Sequence, residues 1–458
     1  MGNGNSNGSV GKVVVIGGGL AGMAAACHLA DQGYAVVLVE RRPFLGGRAF
    51  SFTDPDTGQE VDNGQHVFLG CCTSYIDFLK ALGVSHNTYL PPRLEVPVLG
   101  PGGKRGVLRS SNLPAPFHVL PSILRYPYLS WRDKLRVIYG GLRIFLTNRH
   151  KNRENLENET FASWLRRHHQ SGAAIARFWS LVILPTLNDD ISDVSADMGL
   201  MVLQEGLLRS RSSASIGYAR VGLSSLVSDA TSSYLCTRGG EVALGTRAEG
   251  LRLDGDRVRG VETSAGLVEG DWYIVALPPR DMVALLPPAL AADPFFGRVQ
   301  GLSSSPIVDV HLWYDRPIME DVFCGFVDSP VQWVFNKTRM QGHNGASGQY
   351  LCISLSGAWR YADMPKSHIQ EIFVQEMARL FPAAREATLE RIIIVKQLQA
   401  TFRSVPGVGS HRLPSTTPLS NLFIAGEWIE TGWPGTMESA VRSGHMAAEA
   451  LLSRRWQG

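Results

Sequence analysis

The sequence predicts two kinds of architecture in one chain, α/β and α+β: a parallel-sheet domain assembled from three separated segments, and an inserted domain of mixed sheet and helices. Three observations predict it. A strand, a glycine turn, a helix and a second strand follow one another over residues 12–40. Short apolar runs that suit buried parallel strands recur far downstream, at 271–277 and 421–425. The residues between read first as apolar helices, then as alternating strands with one helix.

The opening unit is specific. Residues 13–16 form a short β-branched strand, and Gly17, Gly19 and Gly22 follow in the spacing G-x-G-x-x-G. A helix over 20–31 carries the small residues Ala21, Ala24 and Ala25; Gly33 ends it, and a strand over 35–39 is closed by Glu40. Gly17 permits the tight turn, Gly19 removes the side chain where a pyrophosphate approaches the backbone, and Gly22 lets the helix pack closely on the sheet. The first helical turn, at Leu20 and Ala21, presents free N–H groups and a partial positive charge. Glu40 lies 18 residues beyond Gly22, near the spacing of a carboxylate that accepts ribose hydroxyls. The unit predicts a Rossmann-like dinucleotide site rather than a glycine turn without a ligand.

At 458 residues the chain can bury large cores, and two domains are expected. A net charge of +3 gives no general affinity for nucleic acid. Six cysteines make no disulfide scaffold, and without a C-x-x-C pair no metal site is expected. A reducing cytoplasm is the expected setting. Residues 1–11, rich in Gly, Asn and Ser, read as a disordered lead without the features of a secretion signal. The absence of a run of about 18 apolar residues predicts no spanning helix.

Beyond the acid, Arg41 leads into Leu45-Gly46-Gly47-Arg48. These residues suit a loop folding back over the pyrophosphate, with Gly47 allowing close approach and Arg48 neutralising phosphate charge. An ordinary loop with a solvated arginine is the alternative. Together with the first motif, L-G-G-R-A resembles the flavoprotein superfamily of amine oxidases, protoporphyrinogen oxidase and phytoene desaturases, which implies FAD. Next comes Asp62-Asn63-Gly64-Gln65-His66. Gly64 lets the chain pass close to a flat ring, and Gln65 and His66 offer it hydrogen bonds. His66 is nominated as a catalytic proton donor, against a flavin-positioning or structural role. The longer run VDNGQHVFLGCCTSYIDFLKALG is similar to the hydroxysqualene dehydroxylases, a squalene-associated branch of the phytoene desaturase group, which carry a like D-N-G-Q-H-x-x-L-G-C run.

Residues 113–146 hold many large apolar side chains. Between 121 and 153, Arg125, Arg132, Lys134, Arg136, Arg143, Arg149, Lys151 and Arg153 stand against the single acid Asp133. An apolar face flanked by basic residues suits an anionic membrane surface; a core helix with a solvated basic side is the alternative. Helices are expected over 160–169, 173–187 and 198–208, and with the segment opening at Val221 they suit the lid of an apolar cavity. The resembled family implies an L-N-T-P-like stretch where this chain has Leu187-Asn188-Asp189-Asp190. Neither aspartate is assigned, a helix cap being the simpler role.

From Gly239 the chain returns to the nucleotide domain, and the resemblance implies that the Val242 backbone meets adenine. A meander over 248–269 and a buried strand follow. Strands over 307–314, 331–336, 350–355 and 391–402, with a helix over 368–380, suit a substrate domain. The last strand ends in Gly426 and Glu427, which would meet pyrophosphate and ribitol; the family commonly has Asp at the second position. Gly435, Thr436 and Met437 open a helix whose N-terminus would stabilise the anionic reduced flavin at its N1–C2=O edge. The expected division is a FAD-binding domain over 12–85, 221–290 and 406–458, and a substrate and membrane-facing domain over 86–220 and 291–405.

The resemblance implies reductive dehydroxylation of hydroxysqualene, a long-chain isoprenoid, to squalene in squalene or hopanoid synthesis. Trp433 or Tyr218 could stabilise the cation formed. With no second complete G-x-G-x-x-G for a nicotinamide cofactor, electrons would come from a separate, unidentified donor. A carotenoid-type desaturase and a non-catalytic isoprenoid carrier are the rivals.

Overall fold

Two sheets carry the site. The first is a five-stranded parallel sheet, ordered Glu241–Ala243, Ala35–Val39, Lys12–Ile16, Trp272–Val275, Leu422–Ile424, in a computed structural model that describes residues 10–343 and 348–455. The chain builds it in three visits. Side-chain alternation sorts its faces. Val13, Val15 and Leu38 face the helices Leu20–Asp31, Leu223–Cys236 and Met437–Arg455, while Val14, Ile16 and Val37 face the meander Ala248–Asp254, Arg257–Thr263 and Gly266–Glu269. Small residues set the helix contact: a methyl on Gly444 would lie 2.3 Å from the Ala21 carbonyl oxygen, so the C-terminal helix lies directly on the first one.

The second sheet has seven strands, ordered Leu389–Phe402, Ser304–Tyr314, Gln349–Ser356, Trp333–Asn336, Phe323–Phe326, Glu95–Leu99, Arg105–Arg109. Neighbours are antiparallel except Phe323–Phe326 with Glu95–Leu99. Val308, Val310 and Leu312 pack on Ile369, Phe373 and Met377 of the helix Lys366–Leu380. Asp309 and His311 therefore point to the other face. There Trp333, Phe335 and Cys352 meet a helical layer built on Phe161, Trp164 and Trp179, whose helices include Trp131–Leu146, Phe161–Arg167 and Ser180–Leu187.

Several expectations are corrected. Val10 and Gly11, placed in the lead, are tied down ahead of the first strand: the Val10 N–H donates to Gly33 O at 3.2 Å and the Ala35 N–H to Gly11 O at 2.9 Å. The rest of the lead, residues 1–9, lies outside the described residues. The helix Leu223–Cys236 is no lid; it packs on the parallel sheet through Leu226 and Leu235, because the Leu223 N–H donates to Asp62 Oδ1 at 3.0 Å and fixes its start there. Asp189 is fully buried and paired with Arg403, and Asp190 Oδ1 accepts the Ser192 N–H at 2.8 Å as a local turn.

Candidate active site

A cavity of about 880 Å³ joins the glycine turn of the first sheet to the helical layer beyond the second. Gly17, Gly19, Leu20, Ala21, Glu40 and Arg41 line it with Gly47 and Arg48. Gly64, Gln65 and His66 contribute from one side, and Gly426, Glu427, Gly435, Thr436 and Met437 from the C-terminal strand and helix. The helical layer and the second sheet add an apolar wall that includes Val96, Leu108, Val119, Ile123, Phe178 and Trp333.

Two expected residues stand outside the wall. Gly22 lies behind it: a methyl there would sit 1.9 Å from the Gly17 carbonyl oxygen, so this glycine serves close packing. Val242 pairs with Leu38 and packs into the helix-covered core. The chain leaves the sheet after Ala243, where the Glu40 N–H donates to Ala243 O at 3.0 Å and the Thr246 N–H to Glu40 O at 2.9 Å. Thr246, Arg247, Ala248 and Glu249 consequently form the wall that the resemblance gave to Val242.

The cradle fits FAD. The helix Leu20–Asp31 starts at Gly19 with no side-chain cap, which leaves its first N–H groups to an anion. A methyl on Gly47 would lie 2.9 Å from Gly19 Cα, so two bare backbones form the pyrophosphate wall. The buried Glu40 carboxylate accepts the N–H groups of Gly18 at 2.7 Å and Arg42 at 2.8 Å. Those bonds fix it at the strand end and leave lone pairs for hydroxyls.

Arg48 lines the cavity and also ties two segments together. Its guanidinium pairs with Glu427 and donates to the Ala400 carbonyl at 3.1 Å, so the arginine loop and the C-terminal strand hold each other. Arg412, nearly fully buried, donates to the carbonyls of Ile429 at 3.0 Å and Trp433 at 2.9 Å and to Thr431 Oγ1 at 3.2 Å, fixing the loop before the last helix. Glu438 accepts the N–H groups of Ser74 at 3.2 Å and Tyr75 at 2.8 Å and so caps the helix Thr73–Ala81 from another element. It also pairs with Arg442, whose guanidinium lies 4.6 Å over the Trp433 ring. Sequence reasoning missed Arg412 and Glu438 because their partners are distant backbone groups. The i,i+4 spacing of Glu438 and Arg442 was the one visible signal.

The D-N-G-Q-H run joins the two sheets. Asp62 Oδ2 accepts from Lys337 Nζ at 2.6 Å, with both side chains 5% exposed. Burial pushes this carboxyl up, but Lys337, the Leu223 N–H and the Ser51 hydroxyl outweigh it and hold it below the ordinary value. His66 Nδ1 lies 2.9 Å from the Gly64 carbonyl oxygen. A carbonyl only accepts, so Nδ1 carries the hydrogen and Nε2 is the acceptor of the neutral ring. Burial lowers the His66 pKa against the opposing effect of that bond. The one ring hydrogen of the neutral form is thus directed at the Gly64 carbonyl. Asp309 and Ser354, cross-strand partners in the second sheet, complete the wall beside Gly64.

The profile of flavin-containing amine oxidoreductases matches residues 20–452. A hydroxysqualene dehydroxylase of Rhodopseudomonas palustris is 28% identical over 446 residues, covering 96% of this chain and 98% of that protein. A 15-cis-phytoene desaturase of Synechococcus elongatus is 25% identical over 470 residues, covering 97% and 96%. Among solved structures, a triple mutant of putrescine oxidase shares the fold with a TM-score of 0.74 at 17% identity, covering 97% of this chain and 99% of that one.

Proposed function

The chain belongs to the flavin-containing amine oxidoreductase family, an FAD-dependent oxidoreductase by that membership, and from this premise we propose that it reduces hydroxysqualene to squalene. The observation that carries the proposal is an apolar cavity continuous with the flavin cradle, in a chain similar over its length to hydroxysqualene dehydroxylases. Reduced FAD, when bound, supplies the hydride for the carbon that loses its hydroxyl.

The protein's own residues must then do three things. They bind FAD through Gly17, Gly19, Leu20, Ala21, Glu40, Gly47 and the 426–437 segment. They assist departure of hydroxide, a poor leaving group, with a proton. They keep water from the allylic cation, since water would restore the alcohol. Trp333 and Phe335 offer aromatic faces in the wall. Trp433 also lines it, but Arg442 already occupies one face of that ring. Tyr218 is outside the wall and lies against Tyr89, with ring centroids 5.5 Å apart.

Peripheral membrane contact on the cytoplasmic face is part of the proposal. Trp131, Leu135, Tyr139, Leu142 and Leu146 recur along one helix and are 41–67% exposed. Arg132, Lys134, Arg136 and Arg143 flank them. Phe117 and Leu124 are exposed beside cavity-lining Val119 and Ile123, so the consecutive short helices Phe117–Val119 and Leu120–Arg125 serve both the apolar patch and the cavity. No helix among the described residues is long and apolar enough to cross a membrane. An apolar, basic-flanked face suits an anionic leaflet from which a long-chain isoprenoid would enter.

Similarity to the phytoene desaturase keeps one rival, a carotenoid-type desaturase that sends hydride the other way, into oxidised FAD. The test is anaerobic incubation of photoreduced protein with hydroxysqualene. Squalene formed with return of oxidised-flavin absorbance supports the proposal. A yellow protein that leaves hydroxysqualene untouched turns the assignment to the desaturase, and a colourless protein that takes up no FAD turns it to an isoprenoid carrier.

A further inference from the structure

We propose that Asp309 is the catalytic acid that protonates the departing hydroxyl; the inference rests on the dehydroxylase assignment above. Asp309 stands in the middle of the strand Ser304–Tyr314, on the face opposite the Val308 and Val310 core, and lines the cavity. Its two oxygens have different surroundings. Oδ1 accepts the Gln65 N–H at 3.2 Å and faces the Cys352 thiol at 3.8 Å. Oδ2 is buried and has no hydrogen-bond partner. A methyl on Gly64 would lie 2.7 Å from Oδ2, so the glycine of the D-N-G-Q-H run makes room for this acid. Donors gathered on one oxygen mark it as the carbonyl oxygen of a neutral carboxyl and leave the proton on the other.

Burial, not a neighbouring charge, raises Asp309. Lys337 is committed to Asp62 at 2.6 Å. His66 and His311 are both shifted down by burial, and Cys352 is shifted up by it. Burial raises Asp309 to about 7, against the smaller opposing effects of Ser354, the Gln65 N–H, Cys352 and Lys337. Three other carboxylates of the wall have partners: Glu40 accepts two backbone N–H groups, Glu427 pairs with Arg48, and Glu438 pairs with Arg442 and accepts at a helix start.

The step balances. The C–O bond breaks with its electron pair on oxygen, the Asp309 proton completes a water molecule, and the hydride brings its electron pair to carbon. The Asp309 carboxylate left behind takes a proton from solvent before the next turnover, and the two electrons are those of reduced FAD.

The test compares wild type with Asp309→Asn and Asp309→Glu, each flavin-loaded and photoreduced. Asp309→Asn is expected to form squalene at least about 100-fold more slowly, within the span of lost general-acid catalysis, with flavin content retained. Asp309→Glu should recover part of the rate. The wild-type rate should fall as pH rises through about 7, a limb absent from the residual rate of Asp309→Asn. Infrared difference spectra need no turnover: a protonated carboxyl band should be present in wild type at pH 6 and absent from Asp309→Asn. Conversion by Asp309→Asn within threefold of wild type, or no such band at pH 6, overturns the proposal. Wild type that leaves hydroxysqualene untouched overturns the reaction assignment first and this role with it.

Discussion

Replacing Lys337 with Met removes the ammonium that sits 2.6 Å from Asp62, in a place where both side chains are 5% exposed. The Ser51 hydroxyl at 2.7 Å and the Leu223 N–H at 3.0 Å stay, but the carboxylate is left buried without a counter-charge. Breaking a buried pair in this way costs about 3–5 kcal/mol. Unfolding entropy of about 2.1 cal/mol/K per residue gives about 1 kcal/mol/K for a chain of 458 residues unfolding as a unit, so Tm should fall by about 3–5 °C. The pH dependence has a definite sign. Asp62 is depressed in the folded protein, so its stabilisation is present above the unfolded carboxyl pKa of about 3.9 and is lost as pH falls through the folded value. In Lys337→Met burial acts without the opposing cation and raises Asp62, so the deficit against wild type should shrink on acidification. Tryptophan-fluorescence melts of the flavin-loaded protein between pH 8 and pH 5 measure it. The double variant Asp62→Asn/Lys337→Met should melt above Lys337→Met, since it buries no lone charge. A shift under about 1 °C at pH 7, or a deficit that does not shrink toward pH 5, would refute the reasoning.

Gly22→Ala should abolish flavin retention, because its methyl would sit 1.9 Å from the Gly17 carbonyl oxygen at the turn that holds the pyrophosphate; normal flavin content after purification would contradict this. Glu438→Ala should cost about 1–2 kcal/mol by uncapping the helix Thr73–Ala81, seen as faster hydrogen exchange over residues 73–81. Arg412→Lys keeps a charge but loses the forked donors that bind Ile429, Thr431 and Trp433, and should weaken FAD binding about tenfold by fluorescence titration. Trp131→Asp combined with Leu146→Asp should abolish co-sedimentation with phosphatidylglycerol vesicles while leaving flavin content unchanged, because both side chains are more than 60% exposed and far in sequence from the cradle.

The first sheet was legible because its strands are covered on both faces and its turn has a single chemical use, so pattern and motif agree. The strands Glu95–Leu99 and Arg105–Arg109 were not. Pro97 and the Pro/Gly-rich residues around them read as breakers. Pro97 is tolerated one residue before the pairing of Val98 with Gly325 begins. Val242 was misplaced because adjacent strand residues and the turn beyond them cannot be told apart as cavity wall without the backbone path. Asp309 and His311 were hidden differently. In IVDVHLWY they alternate with apolar residues as polar side chains of a half-solvated strand would. The structure covers that face as well, and an acid that pattern alone would give to water is instead fully buried.

That covering explains why the D-N-G-Q-H run needs its residue types. Asp62 turns one way, to Lys337 from the second sheet and to the start of a helix on the first. Asn63 accepts the Phe50 N–H at 3.3 Å and donates to the Arg48 carbonyl at 2.7 Å, which orders the arginine loop. Gly64 has no side chain because Asp309 occupies the space. The Gln65 N–H then fixes one oxygen of that acid, and His66 spends its Nδ1 hydrogen on Gly64 rather than on substrate. Five consecutive residues thus lock the flavin floor to the second sheet and divide two buried carboxyls into opposite states. Asp62 is held ionised by a cation it cannot lose without destabilising the joint. Asp309, with that cation already committed to Asp62, is left with a proton at the cavity wall.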